Sequence, residues 1–340
     1  MKKMSAFLQK HTLEFHFEAK TSRNAFTHRD IYLLEISDNY GRLGVGEISP
    51  LQGLSPEYND TFEEKLKEVT SNVSHYLNNI DELADYPSIV FGLETAWWAY
   101  KHSSGVFFET DFTSKKRALP INSLVWMGDF DFMKSQIDAI LKKDTQCIKL
   151  KIGGIDFEKE LELLKYIRRF RSAKTLQIRL DANGAFQPDE ADAKLSALIP
   201  FDIHSIEQPI AKGQANAMRK IVETCEIPIA LDEELIGITQ YKDRYQLLKE
   251  INPSYIVLKP SLHGGFAGAE EWIFIAKQLG IRWWATSALE SNLGLNAIAQ
   301  WVSQFPESYD FPQGLGTGQL YKNNLPSHSY LQDYFLYFEN

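Results

Sequence analysis

The sequence predicts an α/β protein, a modified TIM-type (β/α) barrel preceded by an α+β capping domain. Beyond residue 118, apolar β-branched runs alternate with segments of helical periodicity, whereas the first 117 residues combine antiparallel strand patterns with helical ones. Charged side chains stand at nearly equal intervals near the ends of successive strand-like runs, as they do where parallel barrel strands open into one mouth. We therefore expect a capping domain at residues 1–117, joined by the tail 319–340, and a barrel at residues 118–318.

The capping domain is predicted from its strand and helix patterns. The run LEFHFEA alternates, and a hairpin turn at residues 38–41 joins IYLLEIS to GRLGVGEIS. A loop at residues 51–55 follows these strands. Helical segments come next, near residues 60–79 and 88–102, and the second is apolar on most sides. We therefore expect the second helix to be buried.

The barrel is predicted from seven strand-like runs. They are LPINSLV, CIKLKI, LQIRLDA, DIHSIEQ, IPIALDE, YIVLKP and IRWWATSA. Helical segments fall between or after them, near residues 157–167, 188–199, 213–224, 239–250, 265–279 and 292–304. Alternation of this kind indicates a parallel sheet, and seven or eight strands favour closure into a barrel. We expect the last strand near residues 314–318, and we expect the strand-like run YFLYF in the tail to return to the first domain.

The bulk composition limits the classes of function. A chain of 340 residues with a formal net charge of −9 lacks the basic stripe of a nucleic-acid groove. Two cysteines indicate no disulfide framework and favour a reducing compartment. The N-terminus resembles no signal peptide, and no segment is long and apolar enough for a membrane span. We expect a cytoplasmic protein without nucleic-acid or membrane partners, and the sequence leaves a homo-oligomer open.

Three acidic residues follow three consecutive strand runs and suggest a metal site. They are Asp181 in RLDAN, Glu207 in IEQP and Asp232 in LDEE. An acid at such a position is, taken alone, more typical of a helix N-cap or a solvated loop. Three acids at the same position of three consecutive strand–helix units, however, are expected to converge at one end of the barrel. Three converging carboxylates repel one another unless a cation lies between them, and oxygen-only ligands suit Mg²⁺, with Mn²⁺ as the alternative. Asn183 and Glu233 are auxiliary candidates or, equally, local turn and cap residues.

Lysines flank the acidic series on both sides along the chain. The spacings between consecutive members of the series Lys151, Asp181, Glu207, Asp232 and Lys259 are 30, 26, 25 and 27 residues. Each spacing is about the length of one strand, one helix and two loops. Because side chains alternate across a strand, the two lysines of IKLKI share one face. That pattern is also typical of a half-exposed outer strand.

The lysines become candidate bases if their strand belongs to a barrel. Lys149 and Lys151 would then point inward, and burial and proximity would lower their pKa values enough to make a usable base. Lys259 in VLKP would lie on the opposite wall, although a surface lysine at a loop start would look the same. Arg179 shares a strand face with Asp181 and should also point inward, where its simplest role is to pair with an acid.

This series of KxK, DxN, E, D and K resembles the enolase superfamily, and most closely its muconate-lactonizing branch. The resemblance implies that Lys151 is the base, that Lys149 tunes it, and that Lys259 is the opposite lysine. It also implies the metal ligands, which are Asp181, Glu207 and Asp232. A metal-bound substrate carboxylate would make the α-proton acidic enough for an amine base, and the charge that develops would be stabilised electrostatically.

The segment TSALESNLG at residues 286–294, which includes Ser287 and Glu290, resembles the corresponding segment of the o-succinylbenzoate synthases. Arg179, two residues before the first predicted ligand, fits the same pattern. These enzymes dehydrate a cyclohexadiene hydroxy-acid to o-succinylbenzoate in menaquinone synthesis. The resemblance implies that Lys151 returns its proton to the leaving hydroxyl on the same face, and that Lys259 lies over the ring as a cation–π partner.

Two loops are further candidates for substrate contact. The resemblance implies that the loop at residues 51–55, with Leu54, closes over the substrate. The glycine-rich run GLGTG, with Gly316, is not a dinucleotide fingerprint, but its backbone amides are suited to approach a carboxylate.

Other functions remain open from the sequence alone. An N-acylamino acid racemase or a dipeptide epimerase would use the same machinery, although the acidic DxD pattern of dipeptide epimerases is absent. A metal-dependent barrel hydrolase would need histidine or two-metal ligation and would leave the lysines without a role. A catalytically silent barrel that only binds a ligand would not need the complete set of acids and lysines.

Overall fold

A computed structural model describes residues 4–20 and 25–339 of the chain. Residues 1–3 and 21–24 of the predicted capping domain and residue 340 of the tail lie outside the described residues. The capping domain begins with a three-stranded antiparallel sheet in sequence order. Its strands are β1 (Ser5–Lys20), β2 (Ala25–Ser37) and β3 (Leu43–Ile48). The predicted hairpin is confirmed, because β2 and β3 pair antiparallel around a turn in which Asp38 N donates to Arg42 O at 3.0 Å.

Three helices complete the capping domain. They are α1 (Phe62–Ser71), α2 (Val73–Tyr76) and α3 (Pro87–Lys101), and a 3₁₀ turn (Ile80–Leu83) precedes the last. Helix α3 is buried along most of its length, as its sequence predicts. It lies very close to β3, since a Cβ on Gly46 would be 2.0 Å from the carbonyl oxygen of Gly92. This approach excludes any side chain at Gly46, so the glycine is what allows the helix and the sheet to touch.

The barrel sheet contains seven parallel strands in the order β11-β10-β9-β8-β7-β6-β5, so the predicted fold class is confirmed. A two-residue strand, β4 (Leu119–Pro120), precedes it. The barrel strands are β5 (Ser123–Val125), β6 (Cys147–Lys151), β7 (Gln177–Asp181), β8 (Ile203–Glu207), β9 (Ile229–Leu231), β10 (Tyr255–Leu258) and β11 (Arg282–Ala285).

Helices alternate with the barrel strands. They are α4 (Phe130–Leu141), α5 (Phe157–Phe170), α6 (Pro188–Leu198), α7 (Ala215–Thr224), α8 (Tyr241–Ile251), α9 (Gly265–Gln278) and α10 (Asn292–Val302). The chain also forms 3₁₀ turns at Ile199–Phe201, Glu233–Leu235, Pro260–Leu262, Pro306–Tyr309 and Thr317–Leu320. The six predicted helices are present. Helix α4 was not predicted, although its buried Met133, Ile137 and Ile140 recur at helical spacing.

Two residues, Gln313 and Gly314, close the barrel at the position where the sequence predicts an eighth strand. The structure forms no strand at residues 314–318, and Thr317–Leu320 is a 3₁₀ turn. Instead, Gln313 bridges to Ile121 and Gly314 bridges to Thr286, both in parallel. The Gly314 amide donates to Ala285 O at 2.8 Å. A Cβ on Gly314 would be 2.2 Å from Thr286 Oγ1, so the closure depends on the absence of a side chain there.

The prediction for the strand-like run in the tail is wrong. It forms β13 (Phe335–Phe338), which pairs with β12 (Ser329–Gln332) and with β4 beside the barrel rather than with the capping sheet. The start of the tail does reach the capping domain, because Lys322 N donates to Glu14 O at 2.8 Å. None of the helices in the described part of the chain combines the length and the apolarity that crossing a membrane requires.

Candidate active site

The predicted acidic and lysine residues meet at one end of the barrel sheet. Lys151, Asp181 and Glu207 are the last residues of β6, β7 and β8, and they are Cα partners across the two strand pairs. Asp232 directly follows β9, and Lys259 directly follows β10. The sheet order separates β6 from β10 by three strands, which places Lys151 and Lys259 on facing walls.

Each of the three acids is paired with a lysine. Lys149 Nζ lies 2.9 Å from Asp181 Oδ2 and 2.6 Å from Glu207 Oε2. Lys151 Nζ lies 3.1 Å from the same Asp181 oxygen. Lys259 Nζ contacts both carboxylate oxygens of Asp232. All of these side chains are buried, so their charges interact with little screening by water.

The pKa values of the acids differ because their surroundings differ. Burial raises the pKa of Asp181, but the charges of Lys149 and Lys151 outweigh it and hold the value well below the ordinary one. Burial also acts on Asp232, whose pKa is lowered by the charge of Lys259. Burial and the negative charge of Asp181 raise the pKa of Glu207 to about 8. The charge of Lys149, whose Nζ lies 2.6 Å from Glu207 Oε2, lowers the pKa of Glu207 but does not offset these two effects.

Lys149 behaves differently from the sequence prediction. Burial lowers its pKa, but the charges of Asp181 and Glu207 prevail and raise the value above the ordinary one. The same balance with Asp232 raises the pKa of Lys259. The prediction that burial and the neighbouring lysine would lower the pKa of Lys149 is therefore wrong, because two carboxylates contact its ammonium group. Lys149 is held as a cation.

The donor set fits a hard divalent cation. Glu207 Oε1 is buried and has no hydrogen-bond partner among the residues that the structure describes. Within those residues, no group of three or more His, Cys, Asp or Glu side chains is already gathered as metal ligands. The ammonium groups of Lys149 and Lys259 lie against the same oxygens that a cation would use. Mg²⁺ prefers oxygen ligands, and it would give the unpartnered oxygen of Glu207 a partner. Its charge would also stabilise the ionised form of Glu207, whose pKa is raised.

Asn183 and Glu233 belong to the same polar cluster. Asn183 Oδ1 accepts a hydrogen bond from Lys151 Nζ at 2.8 Å, and Asn183 Nδ2 donates to Glu233 Oε1 at 3.1 Å. Asn183 has a φ of 45°, a left-handed conformation that asparagine tolerates better than most residues. The turn after β7 therefore directs the amide towards Lys151, where it holds the ammonium group beside Asp181.

A cavity of about 370 Å³ opens above this cluster. Lys149, Lys151, Asp181, Asp232 and Lys259 line its polar end, together with Asn183 and Glu233. The capping-domain loop forms another wall. Its lining residues are Leu51, Gln52, Gly53 and Leu54, and the facing residues are Ser287, Ala288, Leu289, Gly316, Thr317 and Leu320. Leu54, Ser287 and Gly316, the candidates for substrate contact, therefore line this cavity, and their contact with a substrate stays a prediction.

Arg179 does not line the cavity, and its predicted pairing with an acid is wrong. It points into the barrel interior at the level of Lys149, which is its Cα partner. Its guanidinium lies against two neighbouring rings, with Cζ 4.5 Å from the Trp284 centroid and 4.3 Å from the Phe311 centroid. Among the described residues, its hydrogen bond runs from Nη1 to Pro312 O at 2.8 Å, and Nε and Nη2 have no hydrogen-bond partner. Burial lowers its pKa.

Glu290 is also outside the cavity wall. Its carboxylate accepts hydrogen bonds from Ser261 Oγ and, at 2.7 Å, from the amide of Ala288. Burial raises the pKa of Glu290 above its ordinary value. The residue thus shapes the segment that carries Ser287 and Ala288 instead of facing a substrate.

Several lining residues were not predicted from the sequence. They are Phe26, Asn122, Ser123, Leu124, Trp126, Ile140, Lys143, Gln319, Leu331 and Tyr334. Most come from the capping sheet, from β5 and its flanks, or from the tail, and they carry no local motif. These residues are brought together only by the tertiary structure, so no pattern in the sequence identifies them as cavity lining.

Comparisons with known proteins agree with this architecture. A family model described as "Enolase C-terminal domain-like" matches residues 133–330, and one described as "MenC, N-terminal domain" matches residues 4–100. The o-succinylbenzoate synthase of Desulfotalea psychrophila is 39% identical, over 96% of this chain and 97% of that protein.

Two solved structures extend the comparison. The crystal structure of MenC from Desulfotalea psychrophila has a TM-score of 0.84 and 37% identity, and the match covers 98% of this chain and 99% of that one. The L-Ala-D/L-Glu epimerase from Bacillus subtilis superposes as well, with a TM-score of 0.85 over 99% and 96% of the two chains, but it is only 19% identical. The second likeness shows the fold alone.

Proposed function

Since this chain belongs to the enolase superfamily, and within it to the family of the o-succinylbenzoate synthases, we propose that its buried lysines and carboxylates dehydrate a cyclohexadiene hydroxy-acid. The chain is thus a lyase, and its family acts in menaquinone biosynthesis. The observation that carries the proposal is the pairing of Lys151 and Lys259 with acids on facing walls of one cavity. The epimerases, at lower identity, are more distant relatives.

We propose that Mg²⁺ binds at the polar end of the cavity, with Mn²⁺ as a substitute. Asp181, Glu207 and Asp232 would hold it, which is consistent with the unpartnered oxygen and the raised pKa of Glu207. When bound, the ion supplies Lewis acidity that makes the proton α to a carboxylate removable by an amine. Lys149, held as a cation by two carboxylates, keeps those side chains in place.

Lys151 carries both proton transfers in the proposed reaction. In its amine form it accepts the α-proton, and the C–H electron pair moves onto the carboxylate side as the enediolate. The resulting ammonium group then donates the same proton to the hydroxyl on the same face. The C–O bond breaks, water leaves, and the electrons complete the aromatic ring. Asn183 Oδ1 and Asp181 Oδ2 hold Nζ at one place for both steps.

Lys259 has a different task on the facing wall. Asp232 keeps it charged, because the carboxylate raises its pKa. A fixed ammonium group opposite Lys151 stabilises the negative charge that develops on the ring and its substituent, both as a point charge and over the π face. The side chains of Leu51, Leu54 and Leu289 would exclude water from the intermediate.

We also propose a cytoplasmic location and a small carboxylate as the only non-metal ligand. Two free cysteines and the acidic net charge support this, and neither suggests a nucleic-acid or membrane partner.

The assay that tests the function mixes purified protein, Mg²⁺ and the cyclohexadiene acid, and follows o-succinylbenzoate by its aromatic absorbance. We expect turnover that is lost on chelation and restored by Mg²⁺. A parallel incubation with N-acylamino acids in D₂O measures α-proton exchange. Exchange without dehydration would contradict the synthase assignment and identify a racemase. Hydrolysis of esters or amides by a Lys151→Ala variant would identify a hydrolase instead.

A further inference from the structure

A single buried guanidinium touches both walls of the cavity mouth. Arg29, on capping strand β2, is 6% exposed. Its Nη1 donates to the carbonyl oxygen of Ala288 and, at 2.7 Å, to that of Leu289. Its Nη2 donates to the carbonyl oxygens of Ser49 at 2.9 Å and Pro50 at 3.2 Å. One planar group therefore joins a capping-domain segment to a barrel segment.

Both segments lead directly into the cavity wall. Ser49 and Pro50 precede residues 51–54, which line the cavity. Ala288 and Leu289 line the opposite side. The side chains of Leu51, Ala288 and Leu289 also belong to one small apolar cluster at the junction of the two domains. The hydrogen bonds of Arg29 to both segments therefore fix the distance between these two walls.

Leu289 has a backbone conformation that its own sequence does not favour. Its φ is 64°, in the left-handed region that is unfavourable for a residue with a branched side chain. Its carbonyl oxygen accepts from Tyr321 Oη at 2.6 Å as well as from Arg29. A conformation of this kind persists only where the surroundings hold it, and here two hydrogen bonds from other parts of the chain do so.

We propose that Arg29 is a positioning residue that fixes the loop of residues 51–54 against Leu289 and thereby sets the width of the substrate cavity. It has no contact with the lysines or carboxylates that carry the chemistry, so it acts on substrate binding. The inference rests on the proposed function only for the identity of the substrate, because the bridge that Arg29 forms between the two segments does not depend on that function.

The test compares Arg29→Lys with Tyr321→Phe. A lysine keeps the charge, but its single nitrogen cannot donate to both walls in the geometry of a guanidinium. We expect KM to rise about tenfold while kcat stays within about twofold. The substrate and the transition state would lose the same contacts with the cavity wall, whereas the contacts with the lysines and carboxylates would remain. Amide hydrogen exchange should become faster in residues 51–55 and in residues 289–291 together. Tyr321→Phe removes one bond to Leu289 and should affect residues 289–291 alone.

Several outcomes would overturn the inference. A fall in kcat with unchanged KM would place Arg29 in the chemical step. A lower melting temperature with unchanged KM and unchanged exchange in both segments would make it a purely structural residue. If the wild-type protein does not turn over the cyclohexadiene acid, the proposed function fails, and the paired exchange of the two segments then decides the inference alone.

Discussion

At Lys149, burial and charge act in opposite directions, and charge prevails. A lone buried lysine would lose its proton easily, but two carboxylates within 3 Å keep this one protonated. Lys151, two residues later on the same strand face, contacts one carboxylate and one amide. The two lysines of one motif therefore have different surroundings, and the proposed reaction assigns the proton transfers to Lys151 and the role of a fixed cation to Lys149.

Replacing Lys151 with alanine should remove the base and lower kcat by about 10² to 10⁴-fold, the usual contribution of a positioned acid–base group. The matched control is Lys143→Ala, since Lys143 lines the other end of the same cavity and is exposed. That control should change kcat by no more than about twofold. Steady-state kinetics on both variants measures the difference, and equal losses would argue against a special role for Lys151.

Replacing Glu207 with glutamine should weaken Mg²⁺ binding by at least about tenfold, because a neutral amide is a poorer ligand for a hard cation. Glu290→Gln is the control, since that glutamate is as deeply buried, but its carboxylate accepts hydrogen bonds from Ser261 Oγ and the Ala288 amide, whereas that of Glu207 pairs with Lys149. Calorimetric titration with Mg²⁺ compares the two. Similar Mg²⁺ affinities in Glu207→Gln and the wild type would remove Glu207 from the proposed ligand set.

At the scale of elements, the strand ends of the barrel were readable from the sequence and its closure was not. Each acid follows an apolar run, and the spacing repeats with every strand and helix, so local patterns suffice to place Asp181, Glu207 and Asp232 at one end. The eighth position contains only Gln313 and Gly314, which are too few to form a pattern. Their pairing depends on neighbours that lie far away in the sequence.

Gly314→Ala should therefore destabilise the barrel more than Gly316→Ala does. A Cβ at Gly314 would be 2.2 Å from Thr286 Oγ1 and 2.6 Å from Thr286 Cβ, whereas at Gly316 the nearest atom is the Ile121 methyl group at 3.1 Å. Overpacking of the first kind costs about 1–3 kcal/mol. Unfolding in urea measures the free energies, and an equal effect of both variants would show that the closure tolerates a methyl group.

At the scale of the whole molecule, the active site is shared between two domains, and this limits what the sequence reveals. The barrel contributes charged residues with a recognisable spacing. The capping domain contributes apolar residues such as Phe26 and Leu51, whose role depends on how the two domains dock. Docking relies on buried contacts between distant residues, for example Glu47 Oε1, which accepts from the amide of Ser291 at 2.9 Å. Such pairs have no signature in a single sequence.

A second contact between the domains should make stability depend on pH. Glu94 on α3 accepts hydrogen bonds from the amides of Phe266 and Ala267 at the start of α9. Burial raises its pKa to about 7. Between the ordinary pKa of a glutamic acid and about 7, the folded protein holds a proton that the unfolded chain has lost, so stability falls as the pH rises through this window.

The Glu94→Gln variant, which cannot titrate, should lose this contribution. Its melting temperature relative to the wild type should increase as the pH rises towards 7 and then level off. Glu64→Gln, at an exposed glutamate of α1, is the control for the exchange of a carboxylate for an amide. Thermal unfolding across this pH range provides the measurement, and a constant offset for Glu94→Gln would contradict the raised pKa.

In the proposed site, three carboxylates bind one ion while two lysines face each other across the substrate. A crystal structure of the protein with Mg²⁺ and o-succinylbenzoate would show this arrangement. We expect one ion bound by oxygens of Asp181, Glu207 and Asp232, with Lys151 Nζ and Lys259 Nζ on opposite faces of the ligand. An ion bound elsewhere, or both ammonium groups on one face of the product, would contradict it.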